Sequence, residues 1–285
     1  MTTRTQDSPP FVVTDRDISD YRRDGAVCLR GVFADWVDTI AAGIERNMRE
    51  PGPYAAESVR SGEAGSFFDD YCNWQRIAEF RELVERSPAA EVAARIMGSQ
   101  SAQFFHDHVL VKEPGTQKGT PWHQDAPYYF VDGSQTVSFW IPIDPVKEAT
   151  LRLIAGSHHC EPLILPVRWL DDSDFYSAAG HYRPVPDPDN EPDLRVLEWT
   201  MDPGDAVLFH FRTAHGARGN PTSSRRRVLS LRWVGDDARY AERPGRTSPP
   251  FPGHEMIAGQ RLRTDWFPIL YEAPSAPGVA DTRRR

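Results

Sequence analysis

The sequence predicts a mainly β protein with flanking helices, its core a sandwich or barrel of short strands. Three observations carry that expectation. Apolar residues at helical spacing are confined to the stretch before Gly98; beyond it the apolar period becomes strand-like; and the strand-like runs are short and separated by Gly/Pro turns. A chain of 285 residues fits one large β-rich domain, since such domains reach ~250 residues, as well as two small ones. We expect a single domain over 1–285, with 1–10 and 276–285 flexible.

Thr14-Asp15-Arg16-Asp17, followed by Ile18 and Tyr21, has the form of a capped helix start. Asp24-Gly25 turns the chain into a short strand, Ala26-Val27-Cys28-Leu29. Trp36 to Met48 carries Val37, Ile40, Ala41, Ile44 and Met48 on one helical face, and 75–98 reads as one or two further helices. The segment near 62–76, with Phe67, Phe68, Tyr71 and Trp74, is also expected to be helical. Strands follow at 103–112, 134–143, 151–155, 195–200, 205–211 and 227–234. Pro203-Gly204-Asp205 reads as a type II turn, proline fixing φ first and glycine supplying the positive φ second. The connection 159–192 contains RPVPDPDNEP, in which proline removes ladder donors. So long a loop suggests a lid. The proline-rich stretch 241–254 is expected to wrap an outer surface.

The net charge of −8 argues against nonspecific binding to nucleic acid, which needs a positive field. Three widely spaced cysteines, Cys28, Cys72 and Cys160, form neither a disulfide framework nor a zinc motif. The N-terminus lacks an apolar signal core, and no apolar run has membrane-spanning length. A cytoplasmic protein acting on a small molecule is the expectation.

Trp122-His123-Gln124-Asp125 is the chemically pointed segment. Residues two apart on a strand share a face, so His123 and Asp125 would present an imidazole and a carboxylate together. Two histidines and one carboxylate, leaving open positions on one side, form the usual ligand set of non-haem Fe(II) oxygenases. His215, before Gly216, supplies a second histidine, with mid-strand His210 a structural rival. Eleven residues beyond His215 stands Arg226, whose guanidinium could hold a carboxylate through two parallel hydrogen bonds, as the distal carboxylate of 2-oxoglutarate requires. Alternation turns Arg225 and Arg227 to the opposite face. Tyr128, Tyr129 and Phe130 are candidates for a substrate wall, with packing under a loop as the alternative.

With these residues in view, the chain resembles the phytanoyl-CoA dioxygenase family of Fe(II)/2-oxoglutarate oxygenases. The likeness runs through Tyr21…Asp24-Gly25, FFHDHVLVKEPG (104–115), TPWHQDAPYY (120–129), Trp140, AGSH (155–158) and PGDAVLFH…HGA…RRRV (203–228). It implies a double-stranded β-helix (jelly-roll, cupin-like) core, with Fe(II), 2-oxoglutarate and O2 as cofactor and cosubstrates. His123, Asp125 and His215 match the iron ligands and Arg226 the arginine for the far carboxylate. Gln124, Trp140 and His106 match positions around the cosubstrate; His108 joins Tyr128 and Phe130 toward the substrate. This chain departs from the family pattern at Ala217, where a serine is frequent, and at Glu148-Ala149, where Asn-Gly is usual. Asp125 is retained, unlike in related halogenases. The implied reaction is hydroxylation of an unactivated C–H bond with release of succinate and carbon dioxide; desaturation, cyclisation and demethylation are alternatives on the same scaffold. A cupin-like metalloenzyme without 2-oxoglutarate and a catalytically silent binding protein are readings from other classes. No CoA site is visible, and a natural-product, amino-acid or other polar small substrate is favoured. Specificity is expected from 183–192 and 62–76.

Overall fold

The structure is a computed structural model, and it describes residues 11–59, 65–169, 173–176 and 181–274. The expectations of flexible ends at 1–10 and 276–285 fall outside the described residues, as do parts of the lid region.

In chain order the helices are α1 (Asp15–Asp24), α2 (Val37–Arg49), α3 (Ala78–Arg86) and α4 (Ala89–Met97). The first strands are β1 (Ala26–Leu29), β2 (Ala56–Val59), β3 (Ser66–Tyr71), β4 (Ser101–Lys112) and β5 (Thr120–His123). After them come β6 (Val131–Asp132), β7 (Thr136–Pro142), β8 (Leu151–Ile154), β9 (Val196–Glu198) and β10 (Ala206–Phe209). The last are β11 (His215–Ala217), β12 (Arg226–Val234), β13 (Arg239–Tyr240) and β14 (Ile269–Glu272). Two sheets carry the architecture. The larger has the order β1-β10-β7-β12-β4-β3-β2 with β14 also on β4, and the smaller runs β5-β11-β8-β9. The pairings are antiparallel. This is the mainly β, jelly-roll architecture the sequence led us to expect.

Local chemistry explains the element boundaries. Thr14 and Asp17 form a reciprocal capping box at the start of α1, and Gly25 ends it at φ 76°, its N–H donating to the Tyr21 carbonyl. Pro203 and Gly204 occupy the centre of the turn closed by the Asp205 N–H on the Asp202 carbonyl, with Gly204 at φ 90°. The 75–98 region is two helices, parted at Ser87-Pro88.

Alternation along β12 divides the larger sheet. Leu229, Leu231 and Trp233 face the apolar cluster built with Ile40, Ile44, Phe80, Leu83, Val92 and Ile96 of the helices. Val228 belongs to a second cluster on the inner face, with Trp140, Val207 and Phe209. Residues of the same parity on that strand, Arg226, Ser230 and Arg232, therefore point inward. The register matches Arg226 with Lys112, Ser230 with His108 and Arg232 with His106. A row of polar side chains thus lines the inside of an otherwise apolar sheet, and that row positions the site.

Three expectations need correction. Residues 66–71 form β3, not a helix: Phe68 packs outward on the helical core while Phe67 turns inward, a period-2 pattern that the aromatic run concealed. The strand expected over 205–211 ends at Phe209, because a tight turn pinned by Thr213 Oγ1 and the His210 N–H on the Gly25 carbonyl separates β10 from β11, which opens at His215. The 241–254 stretch does not merely wrap the outside; Phe251 packs against Phe105 and Phe267 and Ser248 and Pro249 reach a cavity wall. Among the described residues no helix is long and apolar enough to cross a membrane, and the three cysteines are unpaired.

Candidate active site

His123 ends β5 and His215 opens β11, and the two are direct cross-strand partners. Asp125 arrives differently from the alternation argued above. The strand stops at His123, and Asp125 sits at φ −68°, ψ −40°, at the head of a 3-10 turn. Its Oδ1 nevertheless lies 3.7 Å from His123 Nε2 and 3.8 Å from His215 Nε2. One donor atom from each of the three falls within 4.8 Å of the others, and all three side chains are buried.

The remaining polar atoms of this trio are already occupied. His123 Nδ1 lies 2.8 Å from the Pro121 carbonyl and His215 Nδ1 lies 2.9 Å from the Thr213 carbonyl. A carbonyl only accepts, so each Nδ1 carries the proton and each Nε2 presents its lone pair inward. Burial, with the neighbouring His215, pushes His123 down to about 3. Burial likewise lowers His215. Both rings are neutral at physiological pH, the form that binds metal. Burial alone would raise Asp125, but Arg232, the two histidines and the Ser138 hydroxyl outweigh it and hold the carboxyl well below its usual range. Ser138 Oγ donates to Asp125 Oδ2 at 2.7 Å, leaving Oδ1 to face the imidazoles. Two unprotonated nitrogens and one carboxylate oxygen, each fixed from behind, fit a divalent transition metal such as Fe(II).

Arg226 lies on the same inner face, fully buried, with Nη1 donating to the Ala149 carbonyl and Trp140 5.6 Å from its guanidinium. Its Nε has no partner. Burial pushes it down to about 10, so it stays charged at neutral pH. Beside it in register stands Lys112, buried, donating to the Arg218 carbonyl. Burial, with Arg226 and Lys118 nearby, holds the Lys112 amine well below its usual range. Buried cations without a carboxylate cost several kcal/mol unless an anion compensates them. The orphaned Nε and the adjacent amine fit the distal carboxylate of 2-oxoglutarate.

On the other side of the metal-ligand trio is a cavity of about 260 Å³. His123 and Asp125 form part of its wall, with His106, His108, Tyr128 and Arg232. His106, expected near the cosubstrate, is on this wall and apart from Arg226; its ring is edge-on to Tyr129 at 5.2 Å. His108 also lines it, with Nε2 3.7 Å from Asp69. Tyr128 lines it while its hydroxyl donates to the Val167 carbonyl, tying the long connection over the site. Trp169 of that connection lies edge-on to His123 at 4.9 Å.

Two candidates are placed elsewhere. Gln124 is turned from the cavity: its Nε2 donates to the Arg212 carbonyl and its Oε1 accepts from the Ile164 N–H at 2.8 Å. Phe130 is sunk in an aromatic cluster with Phe105, Phe251 and Phe267; its parity is opposite to that of His123 and Asp125, so even a regular strand would have turned it from the site. Tyr129 takes the wall position instead. His210 is structural, with Nε2 on the Ser134 carbonyl and Nδ1 accepting from the Arg212 N–H. Arg227 pairs with Asp144 and Glu45 on the helix side, and Arg225 with Glu45 and Glu113. Sequence reasoning missed Lys112, Ser138 and Arg232. The signal was present, since each shares strand parity with a named candidate: His108, Trp140 and Arg226 respectively.

Known proteins agree with this geometry. The profile of the phytanoyl-CoA dioxygenase (PhyH) family matches residues 21–228. An ectoine dioxygenase of Sphingopyxis alaskensis is 24% identical over 290 residues, covering 95% of this chain and 91% of that protein. The epimerase SnoN from nogalamycin biosynthesis, solved with Fe3+, α-ketoglutarate and nogalamycin RO, superposes with a TM-score of 0.70 at 21% identity, covering 90% of this chain and 98% of that one. The carbocyclase SnoK from the same biosynthesis superposes at 0.69 with 22% identity over 90% and 96%. These structures share the fold. With the family profile spanning most of its length and the three metal-binding side chains assembled within it, the chain belongs to the phytanoyl-CoA dioxygenase family of iron- and 2-oxoglutarate-dependent oxygenases.

Proposed function

We propose that the protein hydroxylates an unactivated C–H bond of a small metabolite, coupled to conversion of 2-oxoglutarate and oxygen to succinate and carbon dioxide. The observation that carries this reading is the arrangement between the two sheets: the metal-binding trio, buried basic side chains without a carboxylate partner to one side, and a cavity to the other. His123, Asp125 and His215 would hold iron, which with 2-oxoglutarate and O2 supplies the oxidising chemistry. The residues of the chain do the rest. Ser138 and the Pro121 and Thr213 carbonyls keep the three donor atoms aimed at one point. Arg226, steadied by Ala149 and Trp140, orients the cosubstrate by its far carboxylate. Trp169 of the covering segment, and Tyr128, which ties that segment down through the Val167 carbonyl, exclude water from the reacting carbon. A cavity of about 260 Å³ suits a small metabolite, at or below the lower end of ordinary ligand pockets (~300–1,000 Å³).

Relatives named as a carbocyclase and an epimerase favour a second outcome, ring closure or stereochemical inversion in the same site. A cupin-like enzyme without 2-oxoglutarate would have no use for Arg226 and Lys112. The test is the purified protein with Fe(II), 2-oxoglutarate and oxygen, assayed for succinate across a panel of small metabolites. Succinate release stimulated by a metabolite supports the reading. No succinate with any of them, together with no binding of 2-oxoglutarate, would end it.

A further inference from the structure

The substrate cavity holds a buried cation that makes no hydrogen bond to the metal-binding trio and lies apart from the cosubstrate pair. Arg232 is 4% exposed and lines the cavity. Its Nε donates to Tyr129 Oη at 3.1 Å and stands 3.7 Å from Asp125 Oδ2, beyond hydrogen-bond reach. Its Nη1 is buried and has no partner. Once Asp125 ligates a divalent cation, much of its charge is taken up there, and Arg232 Nη1 faces a water-poor space with no anion in hydrogen-bond reach. The other cation on the wall, Arg168, is exposed, and its guanidinium is engaged by Ser173 Oγ and the Asp174 and Phe175 carbonyls.

Directly across the strand pair from Arg232 is His106. Its Nδ1 lies 3.1 Å from the Asp107 carbonyl, so it carries the proton there, and its buried Nε2 is an acceptor without a partner. Cross-strand neighbours have Cβ atoms about 5 Å apart. An unused donor and an unused acceptor thus stand side by side on the cavity wall. The wall's carboxylate outside the trio, Asp69, is on β3, two strands from β12 and roughly 10 Å away, beside His108.

We infer that the substrate is a small carboxylic acid with an N–H or O–H close to its carboxylate, the anion received by Arg232 and the donor by His106. A guanidinium matches a carboxylate in a planar, forked geometry that no neutral group reproduces. Unpaired polar groups in such a site also reject analogues that lack the complementary atoms. The inference rests on the oxygenase reading for the position of the reacting centre.

The experiment uses the full-length protein loaded with Fe(II) and 2-oxoglutarate under anaerobic conditions, so that nothing turns over. Calorimetry measures binding of mandelate, L-proline, L-phenylalanine and N-acetylglycine, each against its carboxamide. At least one acid is expected to bind about tenfold or more tightly than its amide, the effect of one hydrogen bond to a charged group. Arg232→Gln should bring that ratio below about threefold, and Arg232→Lys, which keeps the charge but not the fork, should restore part of it. The ratio cancels any general loss of affinity from altered metal content or folding. Acids that bind no better than their amides across the panel, absence of binding included, overturn the inference, as does a preference that survives Arg232→Gln. The 2-oxoglutarate titration in the same series separates the two claims. If it binds without any acid preference, only the substrate class fails; if it does not bind, the oxygenase reading fails.

Discussion

Replacing Arg226 by methionine removes the charge and the fork while filling much of the same volume. In the protein this guanidinium is buried, holds one backbone carbonyl and leaves Nε unused. Hydrogen bonds to a charged group contribute about 1.5–3 kcal/mol each. Losing the pair that a carboxylate would form, with Lys112 still present to offset part of it, should weaken 2-oxoglutarate binding by about 3 kcal/mol, or on the order of 100-fold. Arg225→Ala is the control. Arg225 is half-exposed and paired with Glu45 and Glu113 at the surface, where ion pairs contribute about 0–1 kcal/mol. It should change 2-oxoglutarate affinity less than about threefold. The assay is calorimetric titration of 2-oxoglutarate into both variants, with succinate release as a second readout. Methionine should not lower the stability of the free protein beyond about 1–2 kcal/mol, since it also relieves an uncompensated buried charge. A variant at position 226 that binds 2-oxoglutarate within threefold of the parent, or an equal loss in Arg225→Ala, would refute the reasoning.

Other expectations follow from single contacts. Ser138→Ala deletes the hydroxyl that fixes Asp125 Oδ2 and should reduce metal affinity about 10–100-fold, read as metal content after dialysis against a weak chelator. Undiminished metal retention would mean that the Ser138 hydroxyl does not position Asp125 for the metal. Gly204→Ala would put a Cβ 2.7 Å from the Ala34 backbone at a φ of 90°, and should destabilise by about 2–4 kcal/mol, visible as a lowered Tm. Trp233→Ala empties a fully buried site between the sheet and the helices and should cost about 3–5 kcal/mol by chemical denaturation, with the metal-binding trio intact.

Much of the site was legible because strand parity is a strong code. Arg226 was readable as the start of a strand that brings it inward, and Arg225 and Arg227 as residues turned away; His215 was read as the end of the strand from Asp205, whereas it opens a strand of its own. Where the backbone left that code, the reading failed or succeeded for another reason. Asp125 reaches the metal-binding trio from a helical turn, so its alternation argument gave the right partner by the wrong geometry. Phe130 was chosen only for following the motif, and its parity, opposite to that of His123 and Asp125, already spoke against it. Gln124 was occupied by backbone groups of two distant loops, 88 and 40 residues away, which no local pattern reports. Residues 66–71 read as helix because Phe67, Phe68 and Tyr71 are apolar on both faces of the strand, and a strand covered on both sides has no contrast to betray its period. Trp169 comes from an irregular segment, where nothing in the spacing marks it.

The parity of β12 also fixes a length. Arg226 and Arg232 are six residues apart on one continuous strand, about 20 Å at the usual rise. That spacing suits the proposed division of labour, in which Arg226 would take a five-carbon diacid and Arg232 a different molecule. On that proposal the strand would act as a ruler, keeping the two molecules on opposite sides of the reacting centre. Sites that far apart are energetically independent as a rule. If the two arginines divide as proposed, substrate preference could drift around position 232 while the cosubstrate grip at 226 stays constant, which would give this scaffold room to change what it oxidises without relearning how.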